Sequence, residues 1–548
     1  MTTSHADLPV VVDRAGTVPL AAQISAQVRV AVAAGVLRTG DRLPSTRDLA
    51  AALSVSRTVV TTAYVQLFAE GWLEGRHGSG TYVADVAPAV GPVLGGAERG
   101  WGAKPGGGSR RGWGAESPGR GGPGDAGPGG PTEPRGRVGR RDPARPRDPA
   151  KPRYPVEPVG LIELRPGIPW TGGIEPAVWR RAWRYAGTRP PSPWPDPHGL
   201  PELRAELAGY LRRSRGLAVS PSQVLLTRGV AGGLSLLAAG LLRPGDTVGV
   251  EEPGYPAARE VLSRAGARIV PCRVDAHGVV PDELPGGLRL LYTTPAHQHP
   301  LGGRLPVGRR QALISWARRC GAIVVEDDYD SEFRYDVGPL PALHSMDPDV
   351  IVYLGTASKV LAPAFGAGWL VAAPDLVERL AELRVDLGER VPEPVQHALL
   401  ALLTSGDLEH HVRRMRLEYA RRRAALVGGL PEPGRFRLLG DTAGMHLVVE
   451  FPVGSPAERV VAEAAARGVA LSTLDRYFAG PPTLSGLILG YGAATLTQVR
   501  RAATVLGPLL AGLPLRENSR YARTAVTREQ PLRGACRYTG VAVTRGRG

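Results

Sequence analysis

Cysteine, lysine and long apolar runs are all scarce in this chain. Cys272, Cys320 and Cys536 are its only cysteines and have no paired spacing. Neither a disulfide framework nor a cysteine-based zinc site is therefore expected, and the sequence calls for no metal. The longest apolar stretch, around Leu234 to Leu242, is too short to span a bilayer. The opening MTTSHADLPVVVDRAG lacks a basic segment followed by an apolar one. The expectation is a soluble protein of the reducing cytoplasm, with no membrane partner.

What is present bounds the answer from the other side. At 548 residues the chain is too long for one ordinary domain, and a hydrophobic fraction of 43% can bury real cores. The net charge of +16, with arginine far outnumbering lysine, biases the protein toward polyanions, nucleic acid among them. Composition divides the chain into regimes. Residues 1–85 carry helical periodicity, and 86–158 are dominated by Gly, Pro and Arg. Residues 159–514 alternate strand-like and helix-like blocks, and 515–548 form a basic tail without periodicity. Runs such as PGGGSRRGWGAESPGRGGPGDAGPGG have too few aliphatic side chains to offset ordering entropy, so 86–158 reads as a disordered linker and the tail likewise. A flexible tether of roughly 70 residues reaches on the order of 45 Å.

In the first regime Leu20, Ile24, Val28 and Val32 recur every fourth residue and Gly35 stops the run, which predicts an amphipathic helix. Ser45 with Asp48 three residues on makes a capping start for a second helix, and Leu49 and Leu53 supply its buried face. Ser56 caps a third. There Val60, Ala63, Tyr64 and Leu67 form the apolar stripe, while Arg57, Thr58 and Thr61 point elsewhere near the N-terminus. A short helix, a tight turn and a helix with polar residues at its start is the helix-turn-helix arrangement. GWLEGRHGSGTYV then reads as two short strands about a glycine-rich turn, a wing. The stretch LRTGDRLPSTRDLAAALSVSRTVVTTAYVQLFAEGWLEGRHGSGTYVAD resembles the DNA-binding domain of the GntR family. The resemblance implies an operator interface at Arg47, Ser56, Arg57, Thr58 and Thr61, with His77 and Gly78 in the wing. Arg57 can give two parallel hydrogen bonds to a guanine edge, whereas Arg47 suits a phosphate.

From Val159 the runs QVLLT, TVGVE, ARIVPCRV, RLLYTT, AIVVEDD and VIVYLG alternate with helical segments. Continuous apolar strands predict a mainly parallel sheet covered by helices, an α/β fold with a small C-terminal α+β subdomain. Chemistry sits at the strand ends. Lys359 in YLGTASKVLAP follows a strand with Thr356 and Ser358 beside it, and an amine there can form a Schiff base while hydroxyls donate to a phosphate. About thirty residues earlier, IVVEDDYDSEFRY ends a strand with Asp327 and Tyr329. A carboxylate holding a pyridine nitrogen protonated and a donor to a ring hydroxyl are what pyridoxal chemistry requires. Tyr255 in VEEPGYP is placed to stack on a ring, and Gly229, followed by Val230, opens a helix whose amides suit a phosphate.

DPHGLPELRAELAGYL, TPAHQHPLG, EDDYDSEFRY and GTASKVLAP together resemble the fold-type I aminotransferases fused to GntR domains in the MocR family of regulators. That resemblance implies pyridoxal 5'-phosphate on Lys359, Asp327 at the pyridine nitrogen, Tyr329 at the 3-hydroxyl and Tyr255 stacking. It also implies His297 and Gln298 near the ring, a homodimer, and a small-molecule effector. Two departures stand out. The family's phosphate-binding arginine, seven residues after the lysine, is Gly366 here, a loss of about 1.5–3 kcal/mol unless another cation substitutes. The arginine that holds an amino-acid carboxylate, expected just before the strand LILGYG, is Gly486. A DNA-binding regulator that senses through pyridoxal phosphate is the leading expectation. An active aminotransferase, which the missing carboxylate anchor disfavours, and a sensor without a covalently held cofactor are the alternatives.

Overall fold

The computed structural model describes residues 8, 10–16, 18–76, 80–86, 160–336, 340–431, 436–440, 443–452 and 454–513. The expected linker beyond Val86 and the tail lie outside them, as do His77 and Gly78.

Helices α1 (Leu20–Ala33), α2 (Thr46–Ala52) and α3 (Arg57–Glu70) precede an antiparallel hairpin, β1 (Leu73–Arg76) with β2 (Gly80–Val83), in which Leu73 faces Val83. Both expected caps form: Ser45 accepts from the Asp48 amide and Ser56 from the Val59 amide. Capping matters here because α2 is only seven residues long and leaves its first-turn amides without helical partners. Ile24, Val28, Val60, Ala63, Tyr64 and Leu67 interlock in the core, and the Tyr64 hydroxyl ties α3 to the carbonyl of Pro44 at 2.9 Å. Val307, from the large domain, is buried in the same cluster.

The large domain runs β3 (Ile162–Glu163), α4 (Pro176–Gly187), α5 (Pro201–Arg215), β4 (Val224–Thr227), α6 (Gly229–Leu241), β5 (Thr247–Glu252) and α7 (Pro256–Arg264). Next come β6 (Arg268–Asp275), β7 (Gly278–Val279), β8 (Leu290–Thr293), α8 (Val307–Cys320), β9 (Ile323–Asp328), β10 (Ile351–Thr356) and β11 (Gly368–Val371). Helices α9 (Pro374–Leu387), α10 (Glu393–Thr404) and α11 (Asp407–Gly428) lead into a C-terminal part. That part holds β12 (Arg437–Leu439), β13 (His446–Phe451), α12 (Ala457–Ala466), β14 (Val469–Ala470), β15 (Ser472–Thr473), β16 (Ser485–Gly490) and α13 (Leu496–Ala511).

The main sheet has the order β4-β11-β10-β9-β8-β5-β6-β7. Strands β10, β9, β8, β5 and β6 are mutually parallel, while β11 runs antiparallel to both β10 and β4. Every residue of β8, β9, β10 and β11 is buried, the consequence of helices covering both faces. Strand β11 was not expected; its four residues, GWLV, follow the loop after Lys359 and take their conformation from their neighbours. The second sheet, β12-β13-β16-β15, is antiparallel. Open parallel sheets present ligand sites at the carboxyl ends of their strands, and the loops after β8, β9 and β10 meet there.

Candidate functional site

Alternation along β9 gives the acidic run EDDYD different tasks. Asp328 is paired with the fully buried Arg215 and accepts from Tyr353 at 2.7 Å. Asp327 points the other way. Tyr292, on the adjacent β8, donates to its Oδ2, while Oδ1 is buried with no partner. Burial raises the Asp327 carboxyl to about 7, with Tyr292 pulling it down. A buried carboxylate oxygen without a donor is the group that a protonated pyridine nitrogen would satisfy.

Lys359 follows β10, and its Nζ donates to the Gly167 carbonyl at 2.6 Å. Burial lowers its pKa from the ordinary lysine range, against the pull of Asp330 and Asp327, and so favours the neutral nucleophilic amine. Beside it Thr356 Oγ1 and Ser358 Oγ lie 3.0 Å apart. Gly229, at φ +73°, opens α6 so close that a Cβ there would sit 3.7 Å from Thr356 Oγ1 and 3.8 Å from Ser358 Oγ. The free first-turn amides of α6, Val230 included, thus share a recess with two hydroxyls, a cradle suited to phosphate.

The remaining expected residues are more constrained. Tyr255 caps α7 and meets His299 edge to face at 5.7 Å. The Tyr329 hydroxyl lies 3.0 Å from His297 Nδ1, which also faces both Asp330 oxygens at 3.1 Å. The Gln298 amide is already engaged, donating to Glu251 in β5, to the Pro253 carbonyl just after that strand and to the adjacent His299 carbonyl. Sequence reasoning missed Tyr292, Asp330, His299 and His446. Tyr292 lies inside an apolar strand run and His446 opens one, both runs look purely structural, and only the fold brings the two residues to the pocket.

Both departures from the family pattern fall at defined points of the fold. Gly366 has φ +63° and a Cβ there would meet nothing within 4 Å, so the site is roomy but left-handed. Arg228, beside Gly229, is turned toward Glu389 at 3.7 Å. Gly486 lies inside β16, not before it, and a Cβ there would stand 2.2 Å from the Val449 carbonyl oxygen. No side chain fits at that position on this backbone.

On the N-terminal unit Arg47, Ser56, Arg57, Thr58 and Thr61 are all exposed. Arg57 Nε donates to Thr46 Oγ1 at 3.2 Å, which ties the base of its side chain to α2. Arg57, Thr58 and Thr61 line an open cleft of about 570 Å³ with Thr62, Val65 and Gln66, and Asp336 is on its rim. Among the described residues no helix is long and apolar enough to cross a membrane.

Comparison with known proteins agrees with this geometry. The model of bacterial regulatory proteins of the gntR family matches residues 20–83, and that of aminotransferase class I and II matches 175–471. The chain is 35% identical to the HTH-type pyridoxine biosynthesis transcriptional regulator PdxR of Corynebacterium glutamicum, over 89% of this chain and 95% of that protein. It is 34% identical to the probable rhizopine catabolism regulatory protein MocR of Rhizobium meliloti, over 90% and 94%. An archaeal alanine:glyoxylate aminotransferase superposes with a TM-score of 0.60 at 26% identity, covering 64% of this chain and 91% of that one.

Proposed function

The chain belongs to the GntR family of regulators, in the MocR-type branch that joins a winged helix-turn-helix to an aminotransferase-like domain, and we propose that it binds operator DNA through α3 while Lys359 holds pyridoxal phosphate in a small-molecule sensor. When bound, pyridoxal phosphate supplies an electron-withdrawing ring and an aldehyde carbon open to attack by a neutral amine. Lys359 would provide that amine, and Asp327 Oδ1 would accept a hydrogen bond from the protonated ring nitrogen, with Tyr292 fixing the other oxygen. Val230, Thr356 and Ser358 would hold the phosphate, Tyr255 would cover one face, and Tyr329 with His297 would border the ring hydroxyl.

The observation that carries the reading is the pairing, in one pocket, of a half-buried lysine with a buried carboxylate that lacks a partner for one oxygen. Sensing rather than turnover is favoured because the chain carries glycine, Gly486, where the resemblance expects the arginine that anchors an amino-acid carboxylate. The test is Lys359→Ala, which should abolish visible absorbance with added pyridoxal phosphate and any ligand response while operator binding persists. Lys359 is the one lysine among the described residues, so borohydride reduction should fix the cofactor there and nowhere else in them. Wild-type protein that stays colourless at saturating cofactor and gives no heat of binding would refute the cofactor reading and leave DNA binding intact.

A second reading, in which pyridoxal phosphate is itself the effector and comes and goes, is favoured by Gly366. The part that the Corynebacterium relative's name gives it in pyridoxine biosynthesis points the same way. A homodimer built through the large domains completes the proposal.

A further inference from the structure

His297, Asp330 and His446 are buried together, and one ligand-type atom from each lies within 4.8 Å of the other two. They come from the loop after β8, the loop after β9 and the first residue of β13, so the cluster joins the main sheet to the C-terminal one. Each imidazole is oriented by a hydrogen bond on one nitrogen only. His446 Nε2 lies 2.9 Å from the Pro300 carbonyl, which can only accept; Nε2 therefore carries the proton and Nδ1 keeps its lone pair. His297 Nδ1 is engaged by Asp330 and Tyr329, and its Nε2 is buried without any partner. A third ring, His299, stands 5.3 Å from His446 between centroids, and its Nδ1 is likewise buried and partnerless.

We propose that His297, Asp330 and His446 form a site for one borderline divalent transition-metal ion of the Zn²⁺ or Co²⁺ type, at the edge of the cofactor pocket and sharing His297 with it. Two imidazoles and a carboxylate are the donor set such ions take, and three protein ligands leave a position for water or for a donor atom of the effector. Donors about 2.0–2.2 Å from a tetrahedral ion lie about 3.3–3.6 Å apart, so a cluster within 4.8 Å needs to close by up to about 1.5 Å. A hydrogen bond on the far nitrogen is the usual brace of a ligating histidine, and the Pro300 carbonyl provides it for His446. Gly444 packs directly against the cluster, where a Cβ would stand 2.2 Å from His297 Cε1 and 2.6 Å from Asp330 Oδ2. Its bare backbone holds those two side chains together.

The experiment uses the full chain, stripped with a chelator, in the wild-type form and as Lys359→Ala, whose spectrum is free of cofactor colour. Titration with Co²⁺ alone should give visible ligand-field absorption saturating at one ion per chain in both forms, with the same stoichiometry for Zn²⁺ by elemental analysis. His446→Gln and Asp330→Asn should each weaken binding roughly 10–100-fold, whereas His410→Gln, an exposed histidine, should not. Less than one equivalent in the wild type, or unchanged affinity in cooperatively melting His446→Gln or Asp330→Asn, overturns the site. Because Lys359→Ala is expected to bind the ion while losing the cofactor, failure of the metal site and failure of the cofactor reading are separable.

Discussion

Burial lifts the Asp327 carboxyl to about 7 even though Tyr292 donates to it, and the sign of the consequence follows from linkage. An acid whose pKa is higher folded than unfolded favours the folded chain while protonated. That contribution is complete below the unfolded value near 4 and is lost as pH rises through about 7. The cofactor-free protein should therefore lose stability across that window, on the order of a few kcal/mol from this group. Asp327→Asn should recover it, raising the Tm of the cofactor-free chain at pH 8 while weakening pyridoxal phosphate binding. Calorimetric melts at pH 5 and pH 8 check this, and equal melting of wild type and variant at pH 8 would sink it. Gly366 offers the opposite trade. Its left-handed φ of +63° costs an arginine about 1–3 kcal/mol of fold stability, but the surrounding space is open and a charge-assisted phosphate contact returns about 1.5–3 kcal/mol on binding. Gly366→Arg should lower Tm slightly and tighten the cofactor Kd severalfold or more in an absorbance titration. Unchanged Kd would show that position 366 does not reach the phosphate.

At the level of elements, local rules decide what can be read in advance. Ser45 and Ser56 announce α2 and α3 because capping is a contact between near neighbours, and the stripe from Val60 to Leu67 fixes which face of α3 stays free. The exposed side chains that remain are those expected at DNA. Arg57→Ala should cost operator affinity about 1–3 kcal/mol, roughly 5- to 150-fold, without altering the absorbance of the large domain. A gel-shift titration beside a spectrum measures both, and undiminished affinity would move the interface off α3. Lys359, Asp327 and Tyr329 were legible for a similar reason, since each stands at or just past the end of a recognisable strand. His446 and Tyr292 were not, because a polar residue inside VVE-like or LLY-like runs gains meaning only from register: Tyr292 lies beside Asp327 through the pairing of β8 with β9. Strand β11 went unread because GWLV follows the glycine-containing loop after Lys359 without a strand-like run of its own, and only its antiparallel pairing with β10 and β4 reveals it. The position of Gly486 shifted for a related cause: the apolar core of β16 is visible in sequence, but the strand begins at Ser485, where nothing apolar marks it.

For the molecule as a whole the open question is how a pocket in one domain and a helix in another act on the same operator. Operator half-sites come in pairs, and a two-fold assembly of large domains brings two winged domains to them. One feature of the surface favours such an assembly. Trp194 is 89% exposed in the loop SPWPDP, far more than a large aromatic side chain on a monomer usually is, and tryptophan is among the residues on which interfaces most depend. The full chain is expected to sediment as a dimer at micromolar concentration. Trp194→Ala should shift it toward monomer, with a dissociation constant raised about 30-fold or more if the ring is a central contact. The same substitution should weaken binding to a two-half-site operator much more than to a single half-site, because pairing the winged domains supplies an effective local concentration that monomers lack. If Trp194→Ala left both sedimentation and two-site affinity unchanged, the exposed tryptophan would lie outside the dimer contact; if the wild type sedimented only as monomer, the dimer itself would fall.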